Sequence, residues 1–485
     1  MITEGVLGLV AQLAESLQAR NINYCHWKSN AFLYRSLNGE NDLDLLVSKE
    51  HASCFCAILH ELGFKETLVP DDEELPGVRN YYGLDQNTGR LVHVHAHFQL
   101  IMGNDLSKNY RIPLEKEYLA SAVNSGLMRV PAAEFELVIF VVRMILKHST
   151  WDAIVMRHGK LTKTEEMELL ALATEENLSN VGYVLVQIPG LTRVLFEDCL
   201  LALQAGCPAW RRIRIAGDVL KVFESCARYP RWRDLLTKFS RRIWRPILQR
   251  VFKSILKNRF ATGGLFVAIV GGDGAGKTTL INALGDWLAG TYEVKKLHMG
   301  KPDWSWATVV LRGLLKLGTL FRFYSFEGDT YEETFQSHGY PWFIRALCTA
   351  HDRYLTFVNG RRFAANGGVV LCDRYSFPGF MQMDGPQCGF AVGRMPQNQA
   401  LLKAIVRWEA EYYQRIGMPD HLIVLRLDPE IAVQRKQDET ETSVRARSSE
   451  VWNLDWSTLS ASVVNAGQSK EEVLSQVKNL LWNNT

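Results

Sequence analysis

The sequence lacks any run of about 18 apolar residues, the length a membrane-crossing helix needs. Its best candidate, Leu137 to Leu146, is short and interrupted by Arg143. It lacks a Cys-x-x-Cys pair among its nine cysteines. An ordered thiol framework is therefore not indicated, and unpatterned cysteines in a large chain point to a reducing cytoplasm. It lacks an excess of one charge: the net formal charge is +3, so a general nucleic-acid-binding surface is not expected. No secretory leader pattern is visible. Met1 to Arg20 carries Glu4 and Glu15 and reads as an amphipathic helix. Internal repeats and low-complexity tracts are absent as well.

What is present is a long chain with ordinary globular composition. Its 485 residues suggest two or three domains. With 47% hydrophobic and 22% charged residues it can build large cores. The pattern divides into residues 1–111, with alternating short helix and strand signals, and residues 112–230, mostly helical. A basic linker follows at 231–259, and a strand–helix alternation at 260–485 that argues for α/β structure around a parallel sheet. In the helical stretch, Glu134 to Lys147 and Thr164 to Leu178 are the clearest periodic pieces.

The linker carries ten basic residues, Arg231 to Arg259, against Asp234 alone. Apolar residues recur at Leu235, Phe239 and Ile243, then at Leu248, Val251, Phe252 and Ile255. Pro246 is expected to split the segment into two helices, sitting in the first turn of the second. A basic amphipathic helix can lie on an anionic membrane surface. The ordinary reading is that its apolar stripe packs on the neighbouring domain.

The most specific motif begins at Leu265. An apolar strand, Leu265 to Val270, runs into Gly271, Gly272, Asp273, Gly274, Ala275, Gly276, Lys277, Thr278 and Thr279. This is GxxxxGK[ST] with a strand before it and a helix, Thr278 to Leu288, after it. Glycines let backbone N–H groups curl around phosphate oxygens, and the helix start adds positive potential. Lys277 is expected at the β- and γ-phosphates of ATP, and the Thr278 hydroxyl on magnesium.

With its internal Asp273, this loop resembles that of thymidylate kinases and their relatives. In that family the matching carboxylate faces the acceptor's sugar. Three further segments resemble the family in order. Ala350-His-Asp352-Arg353-Tyr354 resembles the helix whose arginine contacts the acceptor. Gly367 to Leu371, ending in Cys372-Asp373-Arg374-Tyr375, resembles the strand closing on Asp-Arg-Tyr. Met418-Pro-Asp420 through Asp428 to Arg435 and Lys436 resembles the late strand and the helix into the lid. The resemblance covers about residues 263 to 482. It implies a P-loop kinase fold that binds ATP and magnesium, and, more weakly, a homodimer. It implies Asp373 on the metal or orienting the attacking group, Arg374 clamping the acceptor's phosphate, and Arg353 and Tyr375 beside the acceptor. Gly274 leaves the loop without the arginine that one family subgroup has there. The charge on the transition state then falls to the lid, where Arg435, Arg445 and Arg447 stand.

The departures from the family lie at the acceptor. His298-Met-Gly300-Lys301-Pro302-Asp303-Trp304 replaces the Arg-Glu-Pro-Gly-Gly-like turn, and Thr349 stands where a phenylalanine stacks on thymine. Thr308 to Phe326 is apolar and aromatic, with Arg312, Lys316 and Arg322 interspersed, and Trp304 and Trp306 precede it. The acceptor is therefore left open between a nucleoside monophosphate, a phosphorylated sugar and a lipid-linked saccharide. A different class of reading makes the loop an ATP switch acting on the first domain.

In the first domain Cys25-His-Trp27-Lys28-Ser29-Asn30 leads into a short helix, Ala31 to Leu37, and then Asp42-Leu43-Asp44. Two carboxylates two apart on a strand share a face and suit magnesium. This arrangement resembles the nucleotidyltransferase fold, with Ser29 and Asn30 at the place of its Gly-Ser. The strand Leu91 to Leu100 presents His93, His95 and His97 on one face, and His95 aligns with that fold's third carboxylate. The domain is then a transferase with an altered metal site, a ligand-binding module, or the holder of a transition metal on its histidines. The helical stretch resembles the extension of such transferases. Its Arg143, Lys147 and His148 form a basic face, read either as a phosphate contact or as a solvated flank.

Overall fold

The structure, a computed structural model, describes residues 5–70, 73–155, 159–251, 257–320, 340–376, 385–389, 400–436 and 439–485. Glu4, Phe252, Lys253, Ile255, Arg322 and Phe326 lie outside the described residues. The chain divides into two compact units, Met1–Leu256 and Lys257–Thr485. Among the described residues no helix is long and apolar enough to cross a membrane. All nine cysteines are free thiols.

The first unit opens with helix α1 (Gly8–Ala19) and strands β1 (Tyr24–His26) and β2 (Leu43–Val47). Helix α2 (Ala52–Glu61) and strands β3 (Lys65–Leu68), β4 (Val78–Asp85) and β5 (Arg90–His97) follow. The strands stand side by side in the order β1-β2-β5-β4-β3. The β2–β5 pair is parallel and the other pairs are antiparallel. Alternation sorts the side chains. Leu43, Leu45, Val92, Val94 and Ala96 join α1 and α2 in one core. The intervening Asp44, His93, His95 and His97 are left on the opposite face.

Beyond β5 the chain is mainly helical. Helix α3 (Ala133–His148) is apolar nearly all round and buried along most of its length, as a central helix must be. Its core cluster also takes in Cys25, Trp27 and Leu46. The expected helix Thr164 to Leu178 is in fact two, α4 (Lys163–Leu172) and α5 (Glu175–Val186). The Thr174 side chain accepts from Asn177 N at 3.2 Å and so starts a new helix inside the periodic stretch.

The basic linker gives one correction. It forms one helix, α6 (Arg231–Val251), which runs through Pro246. Its anchors lie before the proline. Lys238 bridges Asp234 (2.8 Å) and Asp152 (3.6 Å), Arg241 donates to Leu106 O, and Arg245 meets Glu73 at 2.8 Å. These contacts hold the helix against the loss of one backbone hydrogen bond at the proline. They also set which face of the helix packs. Asp234 and Lys238 are buried, while Trp232, Leu236, Phe239, Ile243 and Ile247 are each at least 40% exposed. At 100° per residue those five lie within a narrow stripe. The helix packs through its charged face and turns its apolar face outward.

The second unit is built on a five-stranded parallel sheet. Its strands are β6 (Leu265–Gly271), β7 (Val294–His298), β8 (Val369–Asp373), β9 (His421–Arg426) and β10 (Ser462–Asn465), in the order β7-β8-β6-β9-β10. Helices α7 (Lys277–Ala289), α8 (Trp306–Leu320), α9 (Tyr340–Ala365), α10 (Ala400–Arg415), α11 (Glu441–Asn453) and α12 (Lys470–Asn483) accompany it. Phe266, Ala268 and Val270 face α9 and α10, and α7 packs on the sheet beside α12. The central strands are apolar throughout because both faces are covered. The first strand, β6, stands in the middle, with later strands on both sides. The strand order therefore changes direction beside it, and the crevice at the carboxyl ends of β6 and β8 is where such sheets bind ligands.

Candidate functional site

The loop 271–276 leaves the carboxyl end of β6 and caps α7. Gly276 has φ +81° at the helix N-cap, a conformation that a side chain resists. Gly272 has no room for one: a Cβ there would lie 2.7 Å from Ser448 Oγ and 2.9 Å from Ser448 Cα. Lys277 is buried and donates to the carbonyls of Gly271 (2.9 Å) and Gly272 (2.8 Å). Its ammonium is folded back along the loop.

Across the crevice, Asp373 ends β8, and its Oδ2 accepts from Thr278 Oγ1 at 2.9 Å. Asp373 is buried, and its Oδ1 has no hydrogen-bond partner among the described residues. A carboxyl oxygen left so is costly to bury. A hydroxyl and a carboxylate at this spacing form a hard oxygen pair of the kind magnesium takes, usually alongside waters and phosphate oxygens. The residues present fit that ion.

Asp273 is buried within the loop. Its Oδ2 lies 2.8 Å from Arg447 Nε, and Arg374 Nη2 stands 3.8 Å from its Oδ1. Arg374 adopts φ +52°, a left-handed backbone that turns the chain sharply after Asp373. Glu439 holds Arg447 from the other side and also pairs with Lys436. These hydrogen bonds, first from Lys436 and then from Arg447, hold the Glu439 carboxyl below its usual range.

The other expected residues are placed as follows. Of the three lid arginines, Arg447 reaches the loop. Arg445 pairs with Glu430 at 2.9 Å, and Arg435 donates to Ala466 O at 3.0 Å. Ala275 is buried in the loop, and Thr279 is exposed in the first turn of α7. Arg353 is buried, its guanidinium donating to Met299 O (2.9 Å) and Tyr413 Oη (2.6 Å). Tyr375 is buried and donates to Gly417 O, and burial pushes its hydroxyl pKa up. Trp304 and Trp306 are exposed, with the Arg312 guanidinium over Trp304 at 4.3 Å. Between α8, α9 and α10 lies a cavity of about 440 Å³, lined by Leu311, Cys348, His351, Trp408 and Tyr412 among others. Ser448, Glu439 and this cavity were not read from the sequence. Ser448 is the residue after Arg447, yet only the fold brings it against Gly272.

The first unit holds a second polar cluster. Asp44 and His95 are paired neighbours on β2 and β5. Asp44 Oδ1 receives Lys28 Nζ at 2.8 Å and His95 Nδ1 at 3.1 Å. Burial opposes ionisation of Asp44, but Lys28 and the two neighbouring histidines win and hold its carboxyl well below the usual range. Asp42 turns instead to His93 Nδ1, 2.8 Å away. The expected magnesium pair of Asp42 and Asp44 thus has both carboxylates engaged by cationic or imidazole groups.

Ser29 has φ 59°, and its N–H and hydroxyl donate to Glu168 at 3.1 and 3.2 Å. Asn30 N–H donates to Glu136 at 3.0 Å. The donors of this turn are taken by the chain's own carboxylates. Neither glutamate was read from the sequence, although Glu136 between Phe135 and Leu137 in an apolar helix was the available signal. Arg143, Lys147 and His148 are not a solvated flank. They pair with Glu168 (3.4 Å), Asp105 (3.2 Å) and Glu165 (3.1 Å from both Lys147 and His148).

No protein-family model matches the chain, and no curated protein does. The sites therefore rest on their own geometry.

Glu136 supplies a pH test. Burial first, and the Glu168 charge further down, push its carboxyl up to about 7 against the Asn30 hydrogen bonds. A carboxyl whose folded pKa is raised favours folding below its unfolded pKa, and this contribution is lost as pH rises through the folded one. Between about pH 4.5 and 7 the wild type should lose stability relative to Glu136→Gln, on the order of a few kcal/mol at about 1.4 per unit. Urea unfolding across that range measures it. Parallel pH profiles of the two proteins would contradict it.

Proposed function

We propose that the second unit is a P-loop kinase that transfers the γ-phosphate of ATP, with magnesium, to a small phosphorylated acceptor. The observation that carries this reading is Thr278 Oγ1 at 2.9 Å from Asp373 Oδ2, with the second oxygen of that buried carboxylate unpartnered. It stands at the mouth of a loop that admits no side chain at Gly272.

Each residue then has a definite task. The backbone N–H groups of Gly274 to Lys277 line the phosphates. Lys277 gives up its two carbonyl partners and swings to the β- and γ-phosphate oxygens. Thr278 and Asp373 would hold the metal, which would supply positive charge to neutralise the phosphates. An acceptor oxygen forms the new bond to the γ-phosphorus as the bond to ADP breaks, so ADP leaves with that bond's electron pair. Arg447, held by Asp273 and Glu439, is the lid cation positioned to meet the spreading charge. Arg374, beside Asp273, suits an acceptor phosphate through its two-pronged guanidinium. The cavity between α8, α9 and α10 falls within the size range of small-ligand sites. Its largely apolar lining favours an acceptor with an apolar or ring portion.

The test is phosphoryl transfer from labelled ATP to a panel of nucleoside monophosphates, phosphorylated sugars and lipid-linked saccharides. One acceptor should be labelled, with Lys277→Ala lowering kcat at least about 100-fold. Steady ATP hydrolysis that no acceptor stimulates would overturn the transfer reading and favour an ATP switch acting on the first unit.

A second reading places this chemistry at a membrane surface, on a lipid-linked saccharide. It is favoured by the outward apolar stripe of α6, with exposed Arg231, Arg233 and Arg250 on the same helix. Stripes of this kind lie in the headgroup region of anionic bilayers. The protein should float with phosphatidylserine-containing vesicles at low salt, less so at high salt. Leu236→Asp with Phe239→Asp should abolish this without unfolding the chain, because both side chains are exposed. No flotation at low salt would sink the membrane reading.

A further inference from the structure

We propose that Asp44, His95 and His97 form a site for one divalent transition-metal ion of the zinc class, with Lys28 as the group the ion displaces. This site is separate from the ATP-binding loop and differs from the magnesium pair that the Asp42/Asp44 spacing suggested.

Three observations carry it. First, the donor atoms converge. His95 Nδ1 is 3.1 Å and His97 Nε2 3.5 Å from Asp44 Oδ1, and all three lie within 4.8 Å of one another. Donor atoms around a tetrahedral zinc ion with bonds of about 2.0–2.1 Å sit roughly 3.3 Å apart. Two edges of the triangle already have that length, so small side-chain rotations close the third.

Second, His97 is buried with neither ring nitrogen in hydrogen-bond geometry. An imidazole in that state loses its solvation without replacement. Its ring is held edge-on by Trp27 at 5.1 Å and tilted against His95 at 4.3 Å. The packing orients the ring, with Nε2 toward Asp44 Oδ1 at 3.5 Å.

Third, the donor set discriminates among ions. Two imidazoles and one carboxylate suit zinc and its neighbours in the first transition row, whereas magnesium takes oxygen. His93 is not a ligand, since its ring nitrogens face Asp42 (2.8 Å) and Asn80 (3.0 Å). β2 and β5 pair directly at Asp44 and His95, so the framework is set by backbone hydrogen bonds.

Lys28 Nζ, 2.8 Å from Asp44 Oδ1, is the competing cation. An arriving ion takes over the carboxylate and sends the ammonium outward. The fourth corner of the metal is then open to water or to an anionic ligand, the arrangement of three-ligand zinc sites.

The test uses the full chain stripped with chelator and titrated with Co²⁺, read by its visible absorption and by equilibrium dialysis. One ion per chain should bind with the intense band of a four-coordinate site, and Zn²⁺ should displace it. His95→Gln should weaken binding at least about tenfold, and Lys28→Met should tighten it by about the same factor. Asp44→Asn, nearly isosteric, should act as His95→Gln does. Retained ATP binding and an unchanged melting profile show that the variants fold. Absence of binding by the wild-type chain overturns the proposal. So does binding that survives His95→Gln and Asp44→Asn, which would place the ion on the free cysteines.

Discussion

The second unit depends on one short contact between two segments far apart in sequence. Thr278 opens helix α7 and Asp373 closes strand β8, and they meet at 2.9 Å. This contact requires β6 and β8 to be parallel neighbours, which they are from Leu265↔Val369 to Ile269↔Asp373. It requires the loop to turn at once into a helix, which Gly276 in a left-handed conformation permits. It also requires the carboxylate to be buried yet incompletely satisfied. The sheet order, the glycine positions and the orphaned oxygen all serve the same few cubic ångströms. A buried carboxylate oxygen without a partner is costly, so such an atom calls for an explanation, and a ligand is the one proposed for Asp373.

Polar groups in the first unit are treated differently. Its Ser29–Asn30 turn presents N–H groups as a phosphate site would, but Glu168 and Glu136 have taken them. Lys28 stands on the strand carboxylate. In this conformation these polar groups are satisfied internally, and His97, buried with only a long 3.5 Å approach to Asp44, stands out against that background. The same inward use of charge explains α6. Its Asp234 and Lys238 find partners inside the unit, so its apolar residues have nowhere to go but outward.

Much of this was legible in the amino-acid sequence, and the legible parts are local. The strand, loop and helix around Lys277 were readable because glycine spacing and apolar runs report directly on backbone geometry. The shared face of His93, His95 and His97 was readable because strand periodicity is strict, whereas the pairing of Asp44 with His95 across β2 and β5 came only from the fold. The rest depends on contacts across long separations. Nothing near Thr174 says that its hydroxyl will interrupt a periodic helix. Nothing near Pro246 reveals that anchors at Lys238, Arg241 and Arg245 will carry a helix through it. The direction of the α6 stripe was left open between two readings because amphipathicity tells which residues share a face, not which face turns inward. Among the lid arginines, only the fold distinguishes Arg447, on Asp273, from Arg445 and Arg435 on other partners.

The central claim is that Thr278 and Asp373 form a magnesium pair serving a nucleotide held by the glycine-rich loop. Calorimetric titration of the full chain with ATP, with and without magnesium, tests it most directly when run beside Thr278→Val. The account predicts that magnesium tightens ATP binding to the wild type by about tenfold or more, and that this gain vanishes in the variant while metal-free binding persists. ATP affinity indifferent to magnesium, or a magnesium gain that survives in Thr278→Val, would contradict it.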